Sequence, residues 1–147
     1  MTFLYFAYGS NMSLAQMAGR CPGSMRLGIG LLRDHALVFP RFSTRRKCGV
    51  AGIERRPGSH VWGVVYRLTS ADLPKLDLCE GFDPDRPRHL NNYNRVEATI
   101  HLAPGESETA ACLTYAAVRQ PGAFLPGEDY LATMITGAVE NGLPFSY

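Results

Sequence analysis

The sequence predicts an α+β protein built on a mainly antiparallel sheet or barrel. Six or seven β-rich runs are joined largely as hairpins, and only three segments carry helical periodicity. One run, "NNYNRVEATIHL", alternates cleanly: Val96, Ala98, Ile100 and Leu102 share a face, while Arg95, Glu97, Thr99 and His101 share the other. At 147 residues the chain has the length of one ordinary domain, so residues 1–147 are read as a single unit.

Leu4 to Tyr8 reads as a short buried strand bounded by Gly9. Ser13 is placed to cap a short helix through Leu14, Met17 and Ala18 that ends before Cys21-Pro22-Gly23. Two strands follow, Met25 to Leu32 and His35 to Phe39. In "GVAGIERRPGSHVWGVVYRL", Arg56-Pro57-Gly58-Ser59 separates two β-rich runs and predicts a hairpin turn. "TSADLPKLDLCEGF" predicts a helix capped near Ser70, with Pro74 in its first turn and Gly81 closing it. A Pro104-Gly105-Glu106 turn joins the alternating strand to a partner at Ala110 to Val118. Last comes a helix opened by Pro126-Gly127-Glu128-Asp129. Its apolar stripe is Tyr130, Leu131, Met134, Ile135 and Ala138, and Gly142 with Pro144 stops it.

Composition excludes several classes. No apolar run is long enough to span a bilayer, no secretory core is present, and no membrane partner is expected. The net charge of +2 is too small to imply nucleic acid. Arg45, Arg46 and Lys47, with Arg55 and Arg56 soon after, read as solvated loop charges, because no aromatic residues interleave for base stacking. Cys21, Cys48, Cys79 and Cys112 contain no C-x-x-C pair, which favours reduced thiols in a cytoplasmic protein. His35, His60, His89 and His101 are equally scattered, so no metal and no cofactor is expected.

Glu80 is the most informative residue. It lies seven after Leu73 and four after Leu76, so it points where those buried leucines point. Burial and the negative end of the helix dipole both disfavour its charge, raising its pKa from about 4.3 toward neutrality, where a carboxyl can take and give a proton. Two other readings stay open: a helix end in water, or a buried partner for a nearby arginine. Asp72 and Asp77 fall on other faces and read as solvated. Ser10 lacks the second glycine of a nucleophile elbow, and Cys79 reads as core filling.

The segment "LYFAYGSNMS" runs strand, then Gly9-Ser10-Asn11, then helix. Such a corner leaves backbone N–H groups free for an anion, although an ordinary turn would look the same. "YFAYGSN", then "VWGVVYRL", then a leucine-containing helix ending in "CEGF", and finally "ENGLPFSY" resemble, in this order, the gamma-glutamylcyclotransferase family. The resemblance runs from Leu4 to Tyr147.

That resemblance implies a mixed fold with a small barrel and a central cavity. It also implies conversion of a gamma-glutamyl amide into 5-oxoproline with release of the amine. On the family's pattern Tyr5, Phe6, Ala7, Tyr8, Gly9, Ser10 and Asn11 form the substrate-binding segment, Glu80 is the catalytic acid and base, and Tyr93 and Tyr115 line the pocket. The partner is then a small gamma-glutamyl molecule, and homodimers occur in the family. A non-catalytic protein using the same cavity for an acidic small molecule is the rival reading. Between Gly81 and Asn92 the chain is longer and more charged than in well-known members. This loop is expected over the pocket mouth, with Asp83, Arg86, Arg88 and His89 selecting the departing amine.

Overall fold

A computed structural model describes residues 1–144, so the last three residues of the "ENGLPFSY" motif lie outside the described residues. The chain closes into a five-stranded barrel ordered β1-β3-β2-β4-β5. Its strands are β1 (Thr2–Ala7), β2 (Met25–Ser43), β3 (Cys48–Thr69), β4 (Tyr93–Leu102) and β5 (Thr109–Ala117). β1 pairs antiparallel with β3 from Thr2↔Thr69 to Ala7↔Val64. One parallel contact, Tyr5↔Leu113 between β1 and β5, makes the barrel mixed. β2 meets β4 at only two positions, Gly30↔Leu102 and Leu31↔His101. Glycine is required at this seam, since a Cβ on Gly30 would collide with the Ile100 side chain.

Five strands stand where six or seven were expected, because β2 and β3 each absorb two predicted runs. Arg56-Pro57-Gly58-Ser59 makes no hairpin. The runs on both sides of it pair with β2, Arg33↔His60 before the irregularity and His35↔Arg55 after it. Gly58 takes φ 85° and donates its N–H to Asp34 Oδ1 at 3.0 Å. The turn chemistry is real but serves a bulge, because one long partner strand satisfies the backbone of both runs. The actual turn lies at residues 44–47, where Lys47 adopts φ 58° and donates to the Ser43 carbonyl.

Helix α1 (Leu14–Arg20) is capped as expected, the Ser13 hydroxyl accepting the Gln16 N–H. Helix α2 (Asp72–Cys79) starts differently: Thr69 Oγ1, not Ser70, accepts the Asp72 N–H. Asp72 is not solvated either. It is 2% exposed and accepts the Gly23 N–H at 3.2 Å. At the other end Gly81 (φ 64°) and Phe82 return their N–H groups to Leu78 and Asp77, a Schellman ending that leaves Glu80 as the last residue of the turn.

Helix α3 (Glu128–Asn141) ends at Gly142 (φ 73°), but its buried face is Tyr130, Met134, Gly137 and Asn141. Leu131 and Ile135, members of the predicted apolar stripe, are exposed. α3 packs through a narrow line because Gly137 sits directly on Met12 and Ser13. Phe6, Val61, Val64, Leu68, Leu76 and Ile100 are fully buried in one core shared by barrel and helices. Burying a side chain of this size stabilises by about 2 kcal/mol.

Candidate active site

The end of β1, the 3-10 turn Ser10–Met12 that follows it, and the last turn of α2 meet at one end of the barrel. They enclose a cavity of about 240 Å³ lined by tyrosines and arginines, with Glu80 in its wall. Glu80 is there because Gly81 ends α2 one residue later, leaving the carboxylate on the Leu73–Leu76 face. Its Oε1 accepts from Asn11 Nδ2 at 3.1 Å. The same Nδ2 donates to the Tyr5 hydroxyl at 2.9 Å.

Asn11 has no freedom to flip. Its Oδ1 accepts from Gln16 Nε2 at 2.8 Å and from Arg20 Nη1 at 3.0 Å, so two donors hold the oxygen and turn the NH₂ toward Glu80. Burial raises the Glu80 pKa from 4.5 to about 7. Arg20, Arg46 and the Asn11 hydrogen bond oppose that rise, and Asp77 adds to it. At neutral pH both forms of the acid are populated, as a group that takes and returns protons requires.

Asp77 is not merely solvated. It accepts from the Tyr115 hydroxyl, and Arg95 Nε lies 3.3 Å from it. Tyr115 therefore enters the cavity wall with its proton already committed, and burial together with Asp77 holds its pKa far above the usual range. Tyr93 donates to the Ala51 carbonyl at 2.6 Å, and the Ala51 N–H reaches the Tyr130 hydroxyl at 2.9 Å. These rings are fixed walls rather than swinging groups.

Of the segment resembling the family's substrate-binding stretch, Tyr5, Tyr8, Gly9, Ser10 and Asn11 line the cavity, and Phe6 and Ala7 do not. Phe6 follows Tyr5 on a strand, so it points to the opposite face and packs in the core. Its carbonyl accepts from Thr114 Oγ1. Ala7 is buried in the ladder with β3. Glu80, Tyr93 and Tyr115 are all brought to the wall.

The mouth differs from expectation. The loop from Gly81 to Asn92 folds on itself: Arg86 donates to Asn91 Oδ1 and to the Gly81 carbonyl. Asn92 lines the cavity, whereas Asp83, Arg86, Arg88 and His89 do not. Instead the mouth is edged by the β2–β3 hairpin, residues 41–46. Arg46 is no solvated loop charge. Its Nη2 lies 3.0 Å from Gln16 Oε1 and 3.3 Å from Ser10 Oγ, and its guanidinium sits 4.8 Å from the Tyr130 ring centroid. Among the described residues no cluster of three His, Cys, Asp or Glu is arranged to hold a metal ion.

The AIG2-like family matches residues 60–147. A gamma-glutamylcyclotransferase of Mus musculus is 33% identical over 150 residues, covering 99% of this chain and 75% of the relative. The chain belongs to the gamma-glutamylcyclotransferase family. The Homo sapiens gamma-glutamylcyclotransferase is 31% identical over the same share of both chains. A solved gamma-glutamyl cyclotransferase superposes with a TM-score of 0.88 at 30% identity, covering 100% of this chain and 84% of the other. This chain is thus an enzyme of the gamma-glutamylcyclotransferase class on a small mixed barrel. Sequence reasoning missed Arg20, Arg46 and Asp77 in its site. Arg20 carried a usable signal, since α1 repeats every 3.6 residues and places it one turn after Gln16, on the face toward Asn11. Arg46 and Asp77 carried none, because their partners come from elements far along the chain.

Proposed function

We propose that this enzyme converts a gamma-glutamyl amide into 5-oxoproline and a free amine, with Glu80 relaying the protons. One observation carries the mechanism: a buried carboxyl poised near pH 7 on the wall of a cavity otherwise rich in hydrogen-bond donors. The substrate's own α-amine attacks its γ-carbonyl carbon, so the protein supplies position and proton transfer rather than a nucleophile. A C–N bond forms within the ring and the amide C–N bond breaks. Two protons leave the α-ammonium and two arrive on the departing nitrogen. No water is consumed.

The first N–H groups of the 3-10 turn at Ser10 have no intrahelical acceptor, and Arg46 lies beside Ser10. Together they suit the α-carboxylate of the glutamyl head, which aims the amine at the carbonyl. Further donors steady the oxyanion of the tetrahedral intermediate. Incubation with a panel of gamma-glutamyl amino acids and amines, read by mass spectrometry for 5-oxoproline, tests this. Product from at least one compound is expected; none from any would remove the reading.

The free cysteines, three of them buried, support a cytoplasmic setting. A homodimer is the assembly the family suggests, and the exposed Leu131, Ile135 and Val139 along α3 offer an apolar face for it. Light scattering at micromolar concentration reads the assembly directly, and a monomer would rule it out.

A further inference from the structure

Four arginines line the cavity, Arg20, Arg41, Arg45 and Arg46, against one carboxyl group, Glu80. Among the described residues none of the four forms an ion pair with an acidic side chain. Arg20 donates to Asn11, Arg46 to Ser10 and Gln16, and Arg41 to the Val118 carbonyl and Asn92 Oδ1. Arginines elsewhere on the chain do find acids: Arg56 and Arg119 pair with Glu54, and Arg95 with Asp77. The cavity therefore holds uncompensated positive charge inside a concave, partly dry wall, where field lines concentrate. Burial, followed by the neighbouring Arg20, lowers the Arg46 pKa, and Arg45 adds to that effect. An anion arriving in the cavity would relieve this crowding.

The charges also divide by the groups they already hold. Arg20 is committed to orienting Asn11, and Arg46 stands beside the Ser10 corner, where the proposed reaction puts the α-carboxylate. Arg41 and Arg45 remain, on the hairpin that edges the mouth. With the α-carboxylate at the Ser10 corner, a departing amine that extends along the hairpin would reach Arg41 and Arg45. A simple amine offers them nothing, and a second cation would be repelled. An ordinary amino acid brings one carboxylate, and an acidic amino acid brings two.

We propose that this enzyme favours gamma-glutamyl compounds whose departing amine is a dicarboxylic amino acid, with Arg41 and Arg45 at the mouth receiving its carboxylates. This rests on the cyclotransferase reading above and names the substrate class of the same site. The selecting residues lie on the β2–β3 hairpin rather than on the charged Gly81–Asn92 loop.

The test compares kcat/KM for gamma-glutamylglutamate, gamma-glutamylalanine, gamma-glutamylethylamide and a gamma-glutamyl diamine. The acid is expected to lead the alanine compound by about tenfold and the diamine to come last, with the lead shrinking as ionic strength rises. Arg45 is exposed, so Arg45→Glu changes the charge with little risk to folding, and it should cut the acid-to-alanine ratio about fivefold. Arg41→Met should cut the ratio further, since Arg41 is less exposed. Equal kcat/KM for the acid and alanine compounds, a leading diamine, or a ratio that neither variant moves would overturn the proposal while leaving the reaction intact. Absence of 5-oxoproline from all four compounds would instead strike the reaction itself.

Discussion

At the cavity floor Asn11 is gripped through its carbonyl by Gln16 and Arg20 and turns its amide onto Tyr5 and Glu80. At the mouth Arg41, Arg45 and Arg46 are strung along one hairpin and held only by neutral groups or none. The floor has its orientations fixed by redundant hydrogen bonds among buried and half-buried groups, which is what preorganised chemistry needs. The mouth keeps an excess of charge in reach of water, which suits attraction and selection. Changes at the floor should therefore appear in kcat, and changes at the mouth in KM.

The largest expected effect is at the floor. Glu80→Gln keeps an oxygen for Asn11 to donate to but removes the proton relay, so kcat should fall about 1,000-fold with little change in KM. Circular dichroism would show the variant folded. A kcat within tenfold of the wild type would take Glu80 out of the mechanism and erase the distinction between the two regions.

Next in size is the support beneath the floor. A Cβ at Gly137 would run into the backbone of Met12 and Ser13, and Asn141 one turn on donates to the Met12 carbonyl at 2.9 Å. Gly137→Val should cost about 3 kcal/mol in urea unfolding by forcing α3 off the 3-10 turn, and should lower kcat in the folded fraction. Gly19 faces open space in α1, so Gly19→Ala should gain about 0.5 kcal/mol instead. If the two glycine variants behaved alike, α3 would not be holding the floor.

The floor was also the more legible region. Strand, small-residue corner, Ser13 cap and helix are near neighbours in sequence, and the spacing of Leu73, Leu76 and Glu80 is a local helical fact. Local rules reach that far. Arg56-Pro57-Gly58-Ser59 has the chemistry of a turn, and nothing nearby reveals that both flanking runs share β2 as partner. Asp77 reads as solvated until Tyr115 and Arg95, from β5 and β4, close over it. Arg46 reads as a loop charge until the hairpin lays it on Tyr130, 84 residues later in the chain by number, and beside Ser10. In each case the deciding contact comes from a different element of the fold. The family resemblance bridged part of that gap for the fold, but it pointed to the Gly81–Asn92 loop for the mouth, which the β2–β3 hairpin edges instead.

A third effect exposes what the floor costs. The Glu80 carboxyl binds its proton more tightly in the folded chain (pKa about 7) than at its ordinary value of 4.5. The wild type therefore loses stability as pH rises from about 4.5 through 7 and carries the full penalty above that range. A glutamine at this position has no charge to bury. Glu80→Gln should match the wild type near pH 4 and exceed it by about 2 kcal/mol at pH 8, read as the difference between thermal melts at the two values. Equal melts at pH 8 would mean that water reaches the carboxylate freely, and the floor would then be no drier than the mouth.

The smallest effect crosses from one region to the other. Arg46→Met should raise KM about tenfold, the scale of one charge-assisted contact to a carboxylate, with a smaller change in kcat. Arg46 also pulls the Glu80 pKa down, by less than Arg20 does. Its removal must therefore move the acid limb of the kcat/KM profile to higher pH, and Arg20→Met must move it further. Salt offers the control, because screening weakens the Arg46 attraction for an incoming anion more than its hold on a buried neighbour. If Arg46→Met left the acid limb in place, mouth and floor would be electrically independent; a shift to lower pH would mean that Arg46 does not face Glu80 at all.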